Sequence, residues 1–435
     1  MKQIALAALI GISSLTLAQQ GPGRQGRQGG QGGQMPFSIE QATSENAQLH
    51  TIAFSGLAFI TGDYGASTFI PPGKVCDYFG FQYMRDIDSQ KKGHNPIFLD
   101  RVAGNVMKTL NSGQKKLFMD LATEQAPQLE RLAKMRLPII KAFWREQLGQ
   151  IPAGSNGLNQ KAVSAAVGDL FALDGELSFR RAEVMAQVSR SLTSDQKAYF
   201  AGMKFGDFST WPEADHRVYM RADVPRGKPK LWTVAYMTYI SEWYSWQFGN
   251  VEADTYFCPE RHGTYFGGFY MKDMPAMGQR DFNISMTLTG DSGKSFLETL
   301  NPEQRLKITQ IIPAQRAELE GTVSLRSQIS VELRKFLTGM TPDRQKTLGL
   351  CRSYGELDGS MSWRYATAFA SVKKTLTKDQ MDRLMALRNL NGYTSAPAYL
   401  YSDAMQTLPV FPNTDSFFFA PNSQRTPQVQ AGGRP

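Results

Sequence analysis

Cys258, His262, Met271, Met274 and Met277 lie within the stretch CPERHGTYFGGFYMKDMPAMG, Cys258 to Gly278. A thiol, an imidazole and three thioethers at that density make a soft donor set of the kind that binds copper, and the thiol and imidazole also suit zinc. Met271 belongs to a repeated motif described below, so the candidate metal ligands narrow to Cys258, His262, Met274 and Met277. The competing reading is packing, because Met fills cores and a Cys-x-x-x-His spacing arises by chance. Other chemistry has less behind it. The histidines are His50, His94, His216 and His262, and the chain holds no HExxH, CxxC or GxSxG and no pair of Glu-x-x-His motifs. TGDSGKS, from Thr289, imitates a phosphate loop but has Leu288 where the first glycine is required. An enzyme of unrecognised type would have to use carboxylates, and that reading stands third.

The elements that must hold these residues come in duplicate. YFGFQYMRD (Tyr78 to Asp86) matches YFGGFYMKD (Tyr265 to Asp273) at an offset of 187. Thr109, Gln125, Leu129, Glu130 and Arg136 meet Thr299, Gln315, Leu319, Glu320 and Arg326 at an offset of 190, and Leu173 to Gln196 lies over Leu357 to Gln380 at 184. The order is kept while the offset drifts by a few residues, which points to two tandem copies of one unit, 76–205 and 256–392. Shared polar residues are Asp86 and Asp273, Glu130 and Glu320, Asp174 and Asp358, and Arg180 and Arg364. On helices these read as ion pairs that fix the unit. Cys76 and Cys258 stand near the paired aromatic motifs and are the candidates for one disulfide, while Cys351, aligned with Val167, should be buried and reduced.

The fold class that follows is all-α, with aromatic Gly/Pro-rich loops. Leu129, Leu132, Met135, Ile139 and Phe143 recur at helical spacing, and Pro138 should kink or break that helix. Lys230 to Gly249 is apolar or aromatic almost all round, which predicts a buried helix between the copies or through the centre of the molecule.

Each copy also carries two related pentapeptides: LNSGQ at Leu110 and LTSDQ at Leu192, then LNPEQ at Leu300 and LTKDQ at Leu376. Asn or Thr can serve as N-cap, Gln three residues on can close a capping box, and Leu can staple the entry. Pro302 and the first-turn Asp195 and Asp379 suit the same helix starts. In an exported helical chain, these motifs resemble the LTxxQ group of bacterial periplasmic proteins, the Spy/CpxP-like chaperones and ZraP/CnrX-like metal-responsive relatives. The resemblance implies a non-enzymatic envelope protein that binds unfolded clients or metal, and a duplicated chain doing alone what a dimer does in that group.

Compartment is read from the ends. Residues 1–18 form a signal peptide, with Lys2, an apolar run from Ile4 to Leu17 and Ala18 at the cleavage point. The run is short for a membrane span, so the expectation is a periplasmic or secreted protein without a transmembrane anchor. Residues 19–36 form a Gly/Gln-rich disordered leader, 37–75 an N-terminal extension, 206–255 a connecting segment with the aromatic helix, and 393–435 a largely disordered tail. Within that tail Phe417, Phe418 and Phe419 can dock back onto the body. The formal charge is +9, of which residues 1–36 carry +3 and 413–435 carry +1, leaving +5 for the body. Without a basic stripe interleaved with aromatics this excludes nucleic acid, but it suits acidic or unfolded protein clients and envelope partners.

Overall fold

The computed structural model describes residues 45–61, 103–203, 210–248, 294–388, 399–400, 403–404 and 413–421. Most of these residues are helical, and two short antiparallel strands pair at Tyr399–Leu400 and Asp403–Ala404. Residues 1–36 and both aromatic YFG motifs lie outside the described residues. No described helix is long and apolar enough to cross a membrane.

The helices are α1 (Glu45–Thr61), α2 (Gly104–Thr109), α3 (Ser112–Gln147), α4 (Gln160–Arg190), α5 (Ser194–Gly202), α6 (His216–Asp223) and α7 (Lys230–Phe248). They continue as α8 (Lys294–Thr299), α9 (Pro302–Thr309), α10 (Ile311–Arg334) with a 3-10 turn (Lys335–Thr338), α11 (Arg344–Lys373), α12 (Lys378–Arg388) and α13 (Asp415–Phe418). Boundaries recur at the offsets read from the sequence. Gly104 and Ser112, which open α2 and α3, stand 190 residues before Lys294 and Pro302, which open α8 and α9. Gln160 and Ser194, which open α4 and α5, stand 184 before Arg344 and Lys378, which open α11 and α12.

The centre of the molecule is the antiparallel pair α4 and α11, the most extensive helix contact present. Glycine lets these two backbones close up. A Cβ on Gly355 would lie 2.6 Å from the Val167 carbonyl oxygen and from Phe171 Cβ, and one on Gly359 would lie 2.7 Å from Ser164 Cα. At the crossing the Phe171 and Tyr354 rings meet edge to face, 5.0 Å between centroids. Outside this pair, α3 packs on α4 and α10 packs on α11, so one continuous apolar core runs through both series.

Three elements are specified further. α3 is unbroken through Pro127 and Pro138, because Leu137, Ile139 and Ile140 beside the second proline are buried and their packing outweighs one lost backbone bond. Its counterpart in the second series is interrupted instead, at Gln310, where Pro313 has no N–H to give to the Thr309 carbonyl. The aromatic helix α7 is a buried core helix, but it lies on α2, α3 and α4 rather than through the centre. Its polar tips find their partners there: Trp232 donates to Thr123 Oγ1 at 2.8 Å, Trp243 to Ser189 Oγ at 3.0 Å, and Tyr244 to the Met203 carbonyl at 2.5 Å. Finally, part of the extension 37–75 is helix α1, largely apolar and packed on α8, α10, α11 and α12.

The tail docks as its three phenylalanines suggest. Phe418 and Phe419 are buried, Asn159 donates to the Phe418 and Ala420 carbonyls at 2.7 Å each, and Arg145 pairs with Asp415 while covering the Phe419 ring. Cys351 is fully buried, facing Gly175 across the α4–α11 contact.

Candidate functional site

The four pentapeptides open α3, α5, α9 and α12, and each is a closed capping box. Asn111 Oδ1 accepts the Gln114 N–H at 2.9 Å while Gln114 Oε1 accepts the Asn111 N–H at 2.9 Å. Thr193 with Gln196, Asn301 with Gln304 and Thr377 with Gln380 repeat the arrangement. The preceding leucines Leu110, Leu192 and Leu300 are buried, and Leu376 is partly so.

The motifs of each series also join one another, which reading them singly does not show. Gln114 Nε2 donates to Gln196 Oε1 at 3.0 Å, and Gln196 Nε2 donates to Gln114 Oε1 at 2.7 Å. The remaining amide hydrogens reach the ends of the preceding helices: Gln114 to the Ser191 carbonyl at 3.1 Å and Gln196 to the Thr109 carbonyl at 2.8 Å. One buried amide pair thus fastens four helix ends, the C-termini of α2 and α4 and the N-termini of α3 and α5. In the second series Gln304 and Gln380 exchange bonds at 3.3 and 2.8 Å and reach the Thr375 and Thr299 carbonyls, each at 3.0 Å. The signal was present in the spacing: 82 residues separate the first pair and 76 the second, and the difference of six is the longer α3–α4 loop of the first series.

A second polar feature lies deeper. Asp174, Ser178 and Arg181 on α4 are fully buried, with Ser178 Oγ donating to Asp174 at 3.1 Å and Arg181 donating to Ser178 Oγ at 3.1 Å. Arg181 lies over the Tyr239 ring, and the Tyr239 hydroxyl donates to Gln125 Oε1 at 2.6 Å. Asp358 and Ser362 hold the corresponding buried places on α11, with Tyr365 where the first series has Arg181. Burial pushes the hydroxyls of Tyr236, Tyr244 and Tyr365 above the usual tyrosine range, so they are neutral.

The other shared charges are on the outside. Glu130 pairs with Lys134 at the surface, and Arg180 meets Glu124 at 3.1 Å and Glu183 at 2.6 Å with about half of each side chain exposed. Arg364 meets Glu318 at 2.5 Å, nearer the interior. Glu124 and Glu318 are not at corresponding positions, so the shared arginines keep their charge but not their partner. Asp86 and Asp273 lie outside the described residues.

Cys258, His262, Met274 and Met277 also lie outside the described residues, as does the Cys76–Cys258 pair. Among the described residues no group of three or more His, Cys, Asp or Glu side chains is placed to hold a metal ion. What the described surface offers is apolar side chains beside cations. Leu306 stands between the exposed Arg305 and Lys307, Val218 follows the exposed Arg217 one turn before Arg221, and Val331 lies one turn before Arg334 and Lys335. Comparison with family models, with curated proteins and with solved structures found no match.

Proposed function

We propose that this is an exported envelope protein, periplasmic or secreted, that binds unfolded or partly folded protein clients and performs no chemistry on them. The observation that carries this reading is that Val218, Leu306 and Val331 are each exposed by about half and each stand near cations along their own helices. An unfolded chain presents apolar side chains and, in acidic proteins, carboxylates, and such a surface meets both. The rigid backing for it comes from the glutamine clasps, the feature that motivates the resemblance to the LTxxQ chaperones.

The test is suppression of aggregation of two denatured clients, one acidic and one basic, at low and high salt. Protection is expected for the acidic client, reduced by salt, and weakened by Leu306→Asp with Val331→Asp. Absence of protection for either client would remove the reading. Copper or zinc recovered stoichiometrically with protein purified from its native envelope would instead favour the soft-metal site at Cys258, His262, Met274 and Met277.

A further inference from the structure

The register that relates the two YFG motifs extends further toward the N-terminus than those motifs. At the same offset of 187, Gly62 meets Gly249, Ala66 meets Ala253, Thr68 meets Thr255 and Pro72 meets Pro259. The match reaches without a gap to the ends of α1 and α7, where Phe59 stands opposite Trp246. Their surroundings correspond as well. The Phe59 ring lies 5.3 Å from the Trp144 ring, the Trp246 ring lies 5.7 Å from the Arg334 guanidinium, and Trp144 and Arg334 are themselves 190 residues apart. By register and by contact, α1 and α7 are one element of the repeated unit, its leading helix.

Their packing is crossed. α1 precedes the first series in the chain but packs on α8, α10, α11 and α12 of the second, while α7 precedes the second series and packs on α2, α3 and α4 of the first. Two corresponding buried polar contacts follow the same crossing, while the C-terminal end of α1 also meets α3 of its own unit, where Gln147 donates to the Phe59 carbonyl. Gln315 Nε2 donates to Gln48 Oε1 of α1 at 2.9 Å, and Gln125, 190 residues before Gln315, accepts from Tyr239 of α7 at 2.6 Å. Tyr239 stands one helical turn beyond the position matching Gln48, hence on the same face.

We infer that each series of helices forms a groove for one apolar helix supplied by the other unit, so that the chain is an internally exchanged pair. The groove of the second series is therefore a helix-binding site whose ligand is the α1 sequence, held in cis and accepted in trans. It selects for a glycine at the position of Gly56, where a Cβ would lie 3.0 Å from both the Phe296 and Phe369 rings. It also selects for a glutamine at the position of Gln48 and for the apolar side chains Ile52, Ala53, Leu57 and Ile60, all fully buried. This inference rests on the duplication and is independent of client binding.

Hydrogen exchange on the full-length chain tests it. Gly56→Leu forces α1 out of its groove, and exchange is expected to rise by about tenfold or more across 294–388 while 104–202 changes little. Trp243→Ala, in α7, should do the reverse. A soluble peptide carrying residues 45–61 should restore protection to the Gly56→Leu chain, and the same peptide with Gly56→Leu should not. Should Gly56→Leu prevent folding, Gly56→Ala, whose methyl meets only ring edges, is expected to give the same pattern to a smaller extent. Loss of protection in 104–202 rather than 294–388, uniform loss across both, or a wild-type peptide without effect overturns the inference.

Discussion

Replacing Gln114 by leucine removes one half of the first clasp while keeping its volume. The Asn111 N–H and the Ser191 carbonyl lose the partner that Gln114 supplies, and Gln196 loses its reciprocal bonds of 3.0 and 2.7 Å but keeps Thr193 and Thr109. The Asn111 cap itself stays, because residue 114 donates to it through the backbone N–H. Burying two backbone groups without partners costs about 1–3 kcal/mol each when nothing replaces the bond, less where water reaches them. The sum is about 2–4 kcal/mol, taking the lower end for a site at a helix junction. Gln196→Leu strands the Thr193 N–H and the Thr109 carbonyl and should cost the same. In Gln114→Leu/Gln196→Leu the amide pair is lost once rather than twice, so the double variant should fall short of additivity by about 1–2 kcal/mol. Urea unfolding followed by far-ultraviolet circular dichroism, with all four chains compared at one pH, measures that difference. Gln114→Leu with Gln304→Leu, in separate clasps, supplies the additive control. Additivity of Gln114 and Gln196 to within about 0.5 kcal/mol would show four independent caps and no clasp.

Two further outcomes follow from the α4–α11 contact and from a buried carboxylate. Gly355→Ala should destabilise by about 2 kcal/mol or more although alanine is the better helix former, because the methyl meets the Val167 carbonyl at 2.6 Å. Gly349→Ala, on the same helix with nothing within 4 Å, should stabilise by about 0.5–1 kcal/mol. Equal signs in thermal melts would remove the close approach as the reason for the first glycine. Glu332 is nearly buried, and burial alone would raise its pKa. Hydrogen bonds from Lys335 and Lys346 outweigh it and hold the carboxyl below the ordinary glutamate value of 4.5. Its contribution is therefore present above pH 4.5 and lost as pH falls through the lowered folded value. The stability difference between wild type and Glu332→Gln should be constant from neutral pH to about 5 and shrink below 4.5; a difference that grows on acidification refutes the assignment.

Local rules made much of the architecture readable. Capping boxes announce helix starts, so Asn111, Thr193, Asn301 and Thr377 placed the openings of α3, α5, α9 and α12 directly. Periodicity placed the buried face of α3, and of the kink or break expected at Pro138 the break does not occur, because the packing of Leu137, Ile139 and Ile140 is a tertiary term absent from any window. The burial of Cys351 followed from its alignment with Val167, whereas the reason for it, a close crossing permitted by Gly175 and Gly355, needs both helices in place. The clasps were half legible: each Gln was seen as a cap, but not as the partner of another Gln far along the chain. α1 escaped notice because it is largely apolar and its few polar residues give no periodic face, although Glu45 and the following Gly62 stand at its ends in the sequence. The soft-ligand residues stay a reading of the sequence.

The two grooves differ where a returning helix would have to fit. In the first, Arg181 lies 5.5 Å from the Tyr239 ring, a contact that Ile52, the α1 residue at the matching register, cannot make. In the second, Tyr365 occupies the position corresponding to Arg181, and its hydroxyl already meets Gln315, which also binds the smaller Gln48. Moving α7 into the second groove would bring a second tyrosine against Tyr365 and remove the ring under Arg181. Moving α1 into the first would place Ile52 where Tyr239 stands, leaving Arg181 without its ring and Gln125 without a hydroxyl donor. Buried polar groups cost several kcal/mol when mismatched, and here that cost falls on the uncrossed arrangement. The differences between the two series, more than their likeness, therefore keep each leading helix on the other unit.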